Sequence, residues 1–527
     1  MIPDDLVTVA EASQWATHTF KRKITSSNIS YLIQYGRITK YGDNGNPKVS
    51  KQELHKYYQS FIGRREIDWK AALGEDINWA LSFDTYKETD TTKHVHRLHP
   101  YKGKFIPQLV EYFIDDHIDE FKKEVYFHPN DIILDPFCGS GTTLVQANEL
   151  GIHALGIDVS EFNVLISNIK VAQHPLIAIQ QELINATRKL QQYISQTNIL
   201  EFDTLLTKEL NAFNQRYFPS PEFKVKVRKG LIDQDEYGKE KEKEFLRRYQ
   251  QLVHQYHVKL KIENPITFLD HWYLPSIRNE IKVLRDYIQN INDPNVQRVL
   301  QVILSRTVRT CRATTHADLA TLIEPVRSVY YCAKHGKLCK PLFTTLYWWK
   351  RYSTDTIQRL ATFQRLRTNT YQLCLAGDAR NINIIDEAQK AFPVFGELIK
   401  RQKIQGIFTS PPYLGLIDYH EQHAYAYELF GFARHDELEI GAMTNGQGKE
   451  AREAYIQGIA EVLLNCKNVL ADDYHVFLVA NDKYNLYPII AEKAAMQIVE
   501  CFRRPVLNRT EKDKSAYAES IFHLKEA

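Results

Sequence analysis

The sequence predicts an α/β protein organised on a parallel sheet, and three stretches carry that expectation. The first is Ile404-Gln405-Gly406-Ile407-Phe408, an apolar run cut off by Thr409-Ser410-Pro411-Pro412-Tyr413. Prolines cannot donate to a ladder, so a buried strand ends there and the chain leaves the sheet. The second is Ile132-Ile133-Leu134, which runs into Asp135-Pro136-Phe137-Cys138-Gly139-Ser140-Gly141-Thr142-Thr143 and then a helical pattern up to Leu150. Strand, glycine loop and helix follow one another directly. The third runs from Gly151 to Asp158 and ends in a carboxylate about 20 residues beyond the loop, where the ribose diol of a nucleoside cofactor is held. The loop lacks the Lys-Ser/Thr ending of a triphosphate site. In an open α/β sheet the carboxyl ends of the strands face the ligand crevice, so Ser410, Tyr413, Gly139 and Asp158 are expected on one edge.

At 527 residues the chain exceeds the size at which a single core stops growing, about 250–300 residues, so two or three domains are expected. Its 67 Lys plus Arg nearly cancel its 64 Asp plus Glu, and any nucleic-acid contact must come from local basic surface. Seven cysteines are odd in number and sparse, which favours reduced thiols or a metal site over a disulfide framework. With no basic-then-apolar leader and no run of about 18 apolar residues, export and membrane spanning are disfavoured and a cytoplasmic location is expected. No internal repeat is evident.

Residues 1–62 read as a small domain of their own. Ser26 or Ser27 can cap a helix whose Ile29, Leu32 and Ile33 share one face, with Gly36 at its end. A turn from Asp43 to Pro47, Val49 and a third helix from Lys51 to Tyr58 follow. This order resembles the winged helix-turn-helix domains of excisionases. The resemblance implies that the helix around Ser26 to Gln34 enters a major groove and that Lys40 or Lys48 meets phosphate. A packing or dimerisation module is the other account.

Residues 63–170 join a polar linker, anchored by Trp69, Trp79 and Phe83, to the first part of the sheet domain; a helix is expected from Pro107. The separate stretches together resemble the amino-group DNA methyltransferases. Asp135 to Gly141 is similar to their S-adenosylmethionine loop, Asp158 to their ribose carboxylate, and Thr409 to Tyr413 to their catalytic tetrapeptide. His99-Pro100-Tyr101-Lys102-Gly103-Lys104-Phe105 is similar to the segment that closes over the methionine end of the cofactor. Gly377-Asp378-Ala379 is similar to the turn whose acid binds the adenine amine.

The resemblance implies a Rossmann-like, seven-stranded mixed sheet ending in an antiparallel hairpin, completed by residues 371–527. Its cofactor residues would be Lys104, Phe105, Asp135, Pro136, Phe137, Gly139, Gly141, Thr142, Asp158, Asp378 and Ala379, and its catalytic residues Ser410, Pro411, Pro412 and Tyr413. S-adenosylmethionine is the implied cofactor and double-stranded DNA the implied substrate. A restriction-modification or defence system is the implied setting, with a cognate restriction endonuclease as a separately encoded partner.

Residues 171–370 depart from the family's arrangement by separating the second and third sheet strands. They read as a mostly helical insertion, a target-recognition segment by extension from the family, with a charged stretch from Lys224 to Lys229 and another from Lys239 to Lys243 as a solvated face or mobile loop. Within it, Cys332, His335 and Cys339 can reach one tetrahedral zinc, with Cys311 as fourth ligand and His316 as its rival. Buried free thiols are the competing account. Between Asp418 and Tyr427, aromatic and polar residues either line a base pocket or pack as ordinary helix.

The leading functional reading is therefore methyl transfer to the exocyclic amine of a flipped base. A Pro-Cys nucleophile for carbon-5 chemistry is absent, and Cys138 reads as a packing residue. Serine at the first tetrapeptide position resembles the cytosine-N4 enzymes more than the adenine-N6 ones. Adenine-N6 methylation, an RNA base methyltransferase and a non-catalytic DNA-binding regulator are the readings that compete.

Overall fold

The structure is a computed structural model and describes residues 5–20, 24–34, 37–42, 47–59, 73, 77–83, 86, 88–101, 103–316, 322–506 and 518–527. Gly36, the turn residues 43–46, Trp69 and Lys102 lie outside them. The strands are β1 (Leu6–Thr8), β2 (Lys48–Ser50), β3 (Ile132–Asp135), β4 (His153–Asp158), β5 (Tyr330–Cys332), β6 (Lys337–Cys339), β7 (Gln372–Ala376), β8 (Ile404–Thr409), β9 (Leu470–Ala480), β10 (Met496–Pro505) and β11 (Ala518–Glu526).

The chain divides into two compact units. One holds residues 76–190, 281–309 and 346–527. Its seven-stranded sheet has the order β10-β11-β9-β8-β3-β4-β7. The strands from β7 to β9 are parallel, and β11 and β10 return antiparallel, so the expected mixed sheet with a terminal hairpin is observed. Both faces are buried, which is why the central strands read as continuous apolar runs. Ile132 and Leu134 of β3, with Leu155 and Ile157 of β4, pack in one core with Ile384, Phe395, Ile459 and Ile490 from the helices on that side. On the other side Phe113, from the helix Pro107–Ile114, lies 5.8 Å from Phe408 and 5.1 Å from Phe477, ring to ring. That helix begins at the expected proline.

The second unit gathers residues 1–75, 191–280 and 310–345. The insertion 171–370 is thus mostly helical, as expected, but is shared between the units and does not form one body. In the N-terminal segment β1 pairs antiparallel with β2, and helices Val9–Thr19, Ser26–Gln34 and 51–59 enclose Ala12, Ala16, Ile29, Leu32, Val49 and Leu54. The cap of the second helix is Thr25, not Ser26 or Ser27: Thr25 N–H donates to Asn28 Oδ1 at 2.8 Å, and Asn28 N–H to Thr25 Oγ1 at 3.3 Å. The charged stretches belong to helices Glu222–Arg228 and Gln234–Gln255, so they form solvated helix faces and not a mobile loop.

Candidate active site at the carboxyl edge of the sheet

β4, β3 and β8 lie side by side and parallel, so the loops after Asp158, Asp135 and Thr409 share one edge. A pocket opens there. Its floor is backbone. Gly139 has φ +52° and Gly141 φ +73°, both left-handed. A Cβ on Gly139 would stand 3.0 Å from the Tyr101 hydroxyl, and one on Gly141 2.9 Å from Ser167 Cβ. Only glycine lets the loop turn here and approach its neighbours this closely.

Asp158, at the end of β4, lines the pocket beside the loop. Its carboxylate accepts from Gly139 N–H at 2.8 Å, Ser160 N–H at 2.9 Å and the Asn163 amide at 3.0 Å. Burial outweighs these donors and pushes its pKa up to about 6. Asp135 is likewise pushed up to about 6 by burial. It does not line the pocket and accepts the Thr409 hydroxyl at 2.6 Å, tying the glycine loop to the loop after β8.

In the loop after β8, the Ser410 hydroxyl donates to the Val479 carbonyl at 3.0 Å. The Tyr455 hydroxyl donates to the Pro412 carbonyl at 2.9 Å. Tyr413 donates its hydroxyl to Glu519 at 2.8 Å, and Glu519 is held in turn by Arg504 at 3.0 Å. The loop is therefore fixed from β9, from the helix Lys449–Lys467 and from the terminal hairpin.

Of the expected residues, Lys104, Phe105, Pro136, Phe137, Gly139, Thr142, Asp158, Asp378, Ala379, Ser410 and Pro412 line the pocket. Asp135, Gly141, Pro411 and Tyr413 stand outside its wall, as supports or beside its mouth. Lys104 turns its ammonium to the His96 carbonyl at 2.6 Å, and burial lowers its pKa to about 8. The Asp378 carboxylate has a two-pronged partner on its own turn, Arg380, with Nη2 at 2.7 Å and Nε at 2.9 Å.

The sequence did not single out Ser160, Asn163 or Glu439, all of which line the pocket, whereas Tyr101 lines it from the His99 to Phe105 segment as that segment's resemblance implied. Ser160 was readable: it caps the helix Glu161–Val171, two residues after the acid. Glu439 was not, since it arrives from a loop and binds the backbone N–H groups of Tyr419 (3.1 Å) and His420 (2.6 Å). The Asp418 to Tyr427 stretch divides between the two accounts given for it: Tyr419 and His420 face the pocket, whereas Tyr425 and Tyr427 are buried helix packing.

The pocket suits S-adenosylmethionine on its own evidence. Three of its residues keep a buried polar atom with no protein partner, Ser140 Oγ, Asn163 Oδ1 and His420 Nε2, in a site otherwise walled by Phe137, Ala379, Ile440 and Val462. Orphaned polar groups of this kind call for a polar ligand, and the apolar walls suit an adenine ring.

A glycine loop, a buried acid at the end of β4 and a Ser-Pro-Pro-Tyr turn on one edge of this sheet define the class as an α/β methyltransferase. The profile of a family described as DNA methylase matches residues 17–168. The Type II methyltransferase M.MjaII of Methanocaldococcus jannaschii is 44% identical over 527 residues, covering 99% of this chain and 97% of that protein. The Type II methyltransferase M.MvaI of Kocuria varians is 32% identical over 100 residues, 19% of this chain and 20% of that one. An rRNA methyltransferase structure, aviRa from Streptomyces viridochromogenes, aligns over 84% of this chain and 94% of its own at 9% identity, with a TM-score of 0.27 that bears no argument. The chain belongs to the DNA amino-methyltransferase family.

The metal expectation is corrected in one ligand. Cys332, His335 and Cys339 come together, but the fourth member of the group is His316. Cys311 stays outside it as a buried thiol whose pKa burial and Glu280 push up. No helix among the described residues is long and apolar enough to cross a membrane.

Proposed function

We propose that this protein is the methyltransferase of a type II restriction-modification or defence system and methylates cytosine N4 in double-stranded DNA. The observation that carries the chemistry is the Ser410 hydroxyl. Its one proton is committed to the Val479 carbonyl, so it faces a substrate as an acceptor. An exocyclic amine is the donor that such a group selects.

The base must leave the stack to reach this loop, which costs a few kcal/mol. Tyr413, its hydroxyl held by Glu519, offers the ring on which the extruded base stacks. Ser410 and the Pro411 carbonyl accept from the amine and turn its lone pair toward the cofactor pocket. S-adenosylmethionine, when bound, supplies an electrophilic methyl group. Asp158 would hold its ribose diol, and the Gly139 loop lets its backbone close on the chain. Transfer would be direct, the amine nitrogen taking the methyl group as the bond to the sulfonium sulfur breaks and the nitrogen's surplus proton passes to solvent; Cys138 is buried and is given no part. The serine-first tetrapeptide supports cytosine N4 over adenine N6.

The full-length similarity to a Type II methyltransferase supports the restriction-modification setting, with an endonuclease encoded separately. The order of short helices and strands in residues 1–62 supports a winged helix-turn-helix reading, in which the helix Ser26–Gln34 enters a groove, and the insertion would read the target. Transfer of labelled methyl groups to plasmid DNA and to RNA, by the parent and by Ser410→Ala, tests the reading. Label in DNA that falls sharply in Ser410→Ala while cofactor binding persists is expected. Label in RNA alone, or equal label from both proteins, overturns it.

A further inference from the structure

We propose that His316, Cys332, His335 and Cys339 form a structural zinc site in the second unit. One ligand atom from each lies within 4.8 Å of every other. Cys332 Sγ is 3.6 Å from His335 Nδ1 and 4.0 Å from His316 Nδ1, and His335 Nδ1 is 3.5 Å from Cys339 Sγ. Bonds of about 2.3 Å to sulfur and about 2.0 Å to nitrogen give a tetrahedron with edges of roughly 3.3–3.8 Å, so the side chains stand at ligand spacing with little adjustment needed.

The sheet register explains why. In the β5–β6 hairpin Tyr330 opposes Cys339 and Cys332 opposes Lys337, so both sulfurs project from one face. His335 sits in the turn, where Gly336 at φ +63° reverses the chain. His316 comes from outside the hairpin; its Nδ1 lies 2.8 Å from the Tyr330 hydroxyl, a contact it would exchange for the metal.

Two thiolates and two imidazoles select zinc among common divalent ions, and four protein ligands leave no position for a reacting water. The ion is therefore a crosslink between the hairpin and the His316 segment. A second group, His94, His96 and Glu149, is a poorer candidate because Lys93 already neutralises its carboxylate at 2.7 Å.

The test is elemental analysis of the purified full chain, followed by cobalt(II) titration of the zinc-stripped, reduced protein. About one zinc per chain is expected, with a thiolate-to-cobalt charge-transfer band and the strong visible bands of a tetrahedral ion. Cys332→Ser and Cys339→Ser should lose the metal, His316→Ala should yield it to a chelator that leaves the parent loaded, and Cys311→Ser should keep it. A parent chain without zinc from zinc-replete cells and without a thiolate band overturns the proposal, as does a Cys332–Cys339 disulfide. Loss of metal from folded Cys311→Ser overturns the ligand set. The parent's cobalt spectrum decides the question even where a variant fails to fold.

Discussion

The two loops that meet at the pocket are built from opposite backbone chemistry. The loop after β3 turns through left-handed glycines at 139 and 141; the loop after β8 is stiffened by Pro411 and Pro412, which fix Ser410, the Pro411 carbonyl and Tyr413 in direction. Asp135 and Thr409 join them at 2.6 Å. On the proposed function, the difference follows from what each would hold. A cofactor wrapped closely needs the chain itself to approach, whereas a base presented for reaction needs a few groups at fixed directions.

The comparison is broken most severely at the glycines. Gly141→Val combines a left-handed residue, about 1–2 kcal/mol, with overpacking against Ser167, about 1–3 kcal/mol. Calorimetry should show cofactor affinity down by about 30-fold or more, as the loop shifts to relieve a combined strain of about 2–5 kcal/mol. Affinity within a few-fold of the parent would mean that the loop does not cradle the cofactor.

Tyr413→Ala attacks the other loop. Loss of a stacking platform is worth about 1–3 kcal/mol, so turnover should fall roughly 10–100-fold while cofactor affinity stays put. Equal losses in both would merge the two loops into one structural element.

Acid separates them again. Asp158 must be ionised to accept from a diol, and burial holds its pKa at about 6, above the ordinary carboxylate value. Protons therefore compete with the cofactor below that pH, and its Kd should be about tenfold higher at pH 5 than at pH 8. Asp158→Asn should bind weakly at both and lose the dependence; a parent with flat affinity would remove Asp158 from the ribose site. The smallest effect belongs to Tyr413→Phe. It keeps the ring and loses the bond to Glu519, so a fall of about 2–10-fold in turnover is expected. A loss as large as that of Tyr413→Ala would shift the role from the ring to the hydroxyl.

The sheet and both loops were legible because each is a contiguous signal: an apolar strand, a turn-specific residue and a following helix. The terminal hairpin was legible only through the family resemblance. What escaped the sequence is whatever reaches the site across the fold. Glu519, Tyr455 and Val479 brace the loop after β8 from three other elements. Contacts of this kind leave no spacing to read. The metal group shows the same boundary. The close spacing of Cys332, His335 and Cys339 could be read, while the choice of His316 over Cys311 depends on how separate segments pack.

The most direct measurement is mass spectrometry of nucleosides from unmethylated plasmid DNA incubated with the purified protein and S-adenosylmethionine. N4-methylcytosine is the expected product. N6-methyladenine would keep the amine chemistry and contradict the base, and unmodified DNA beside methylated RNA would contradict the account itself.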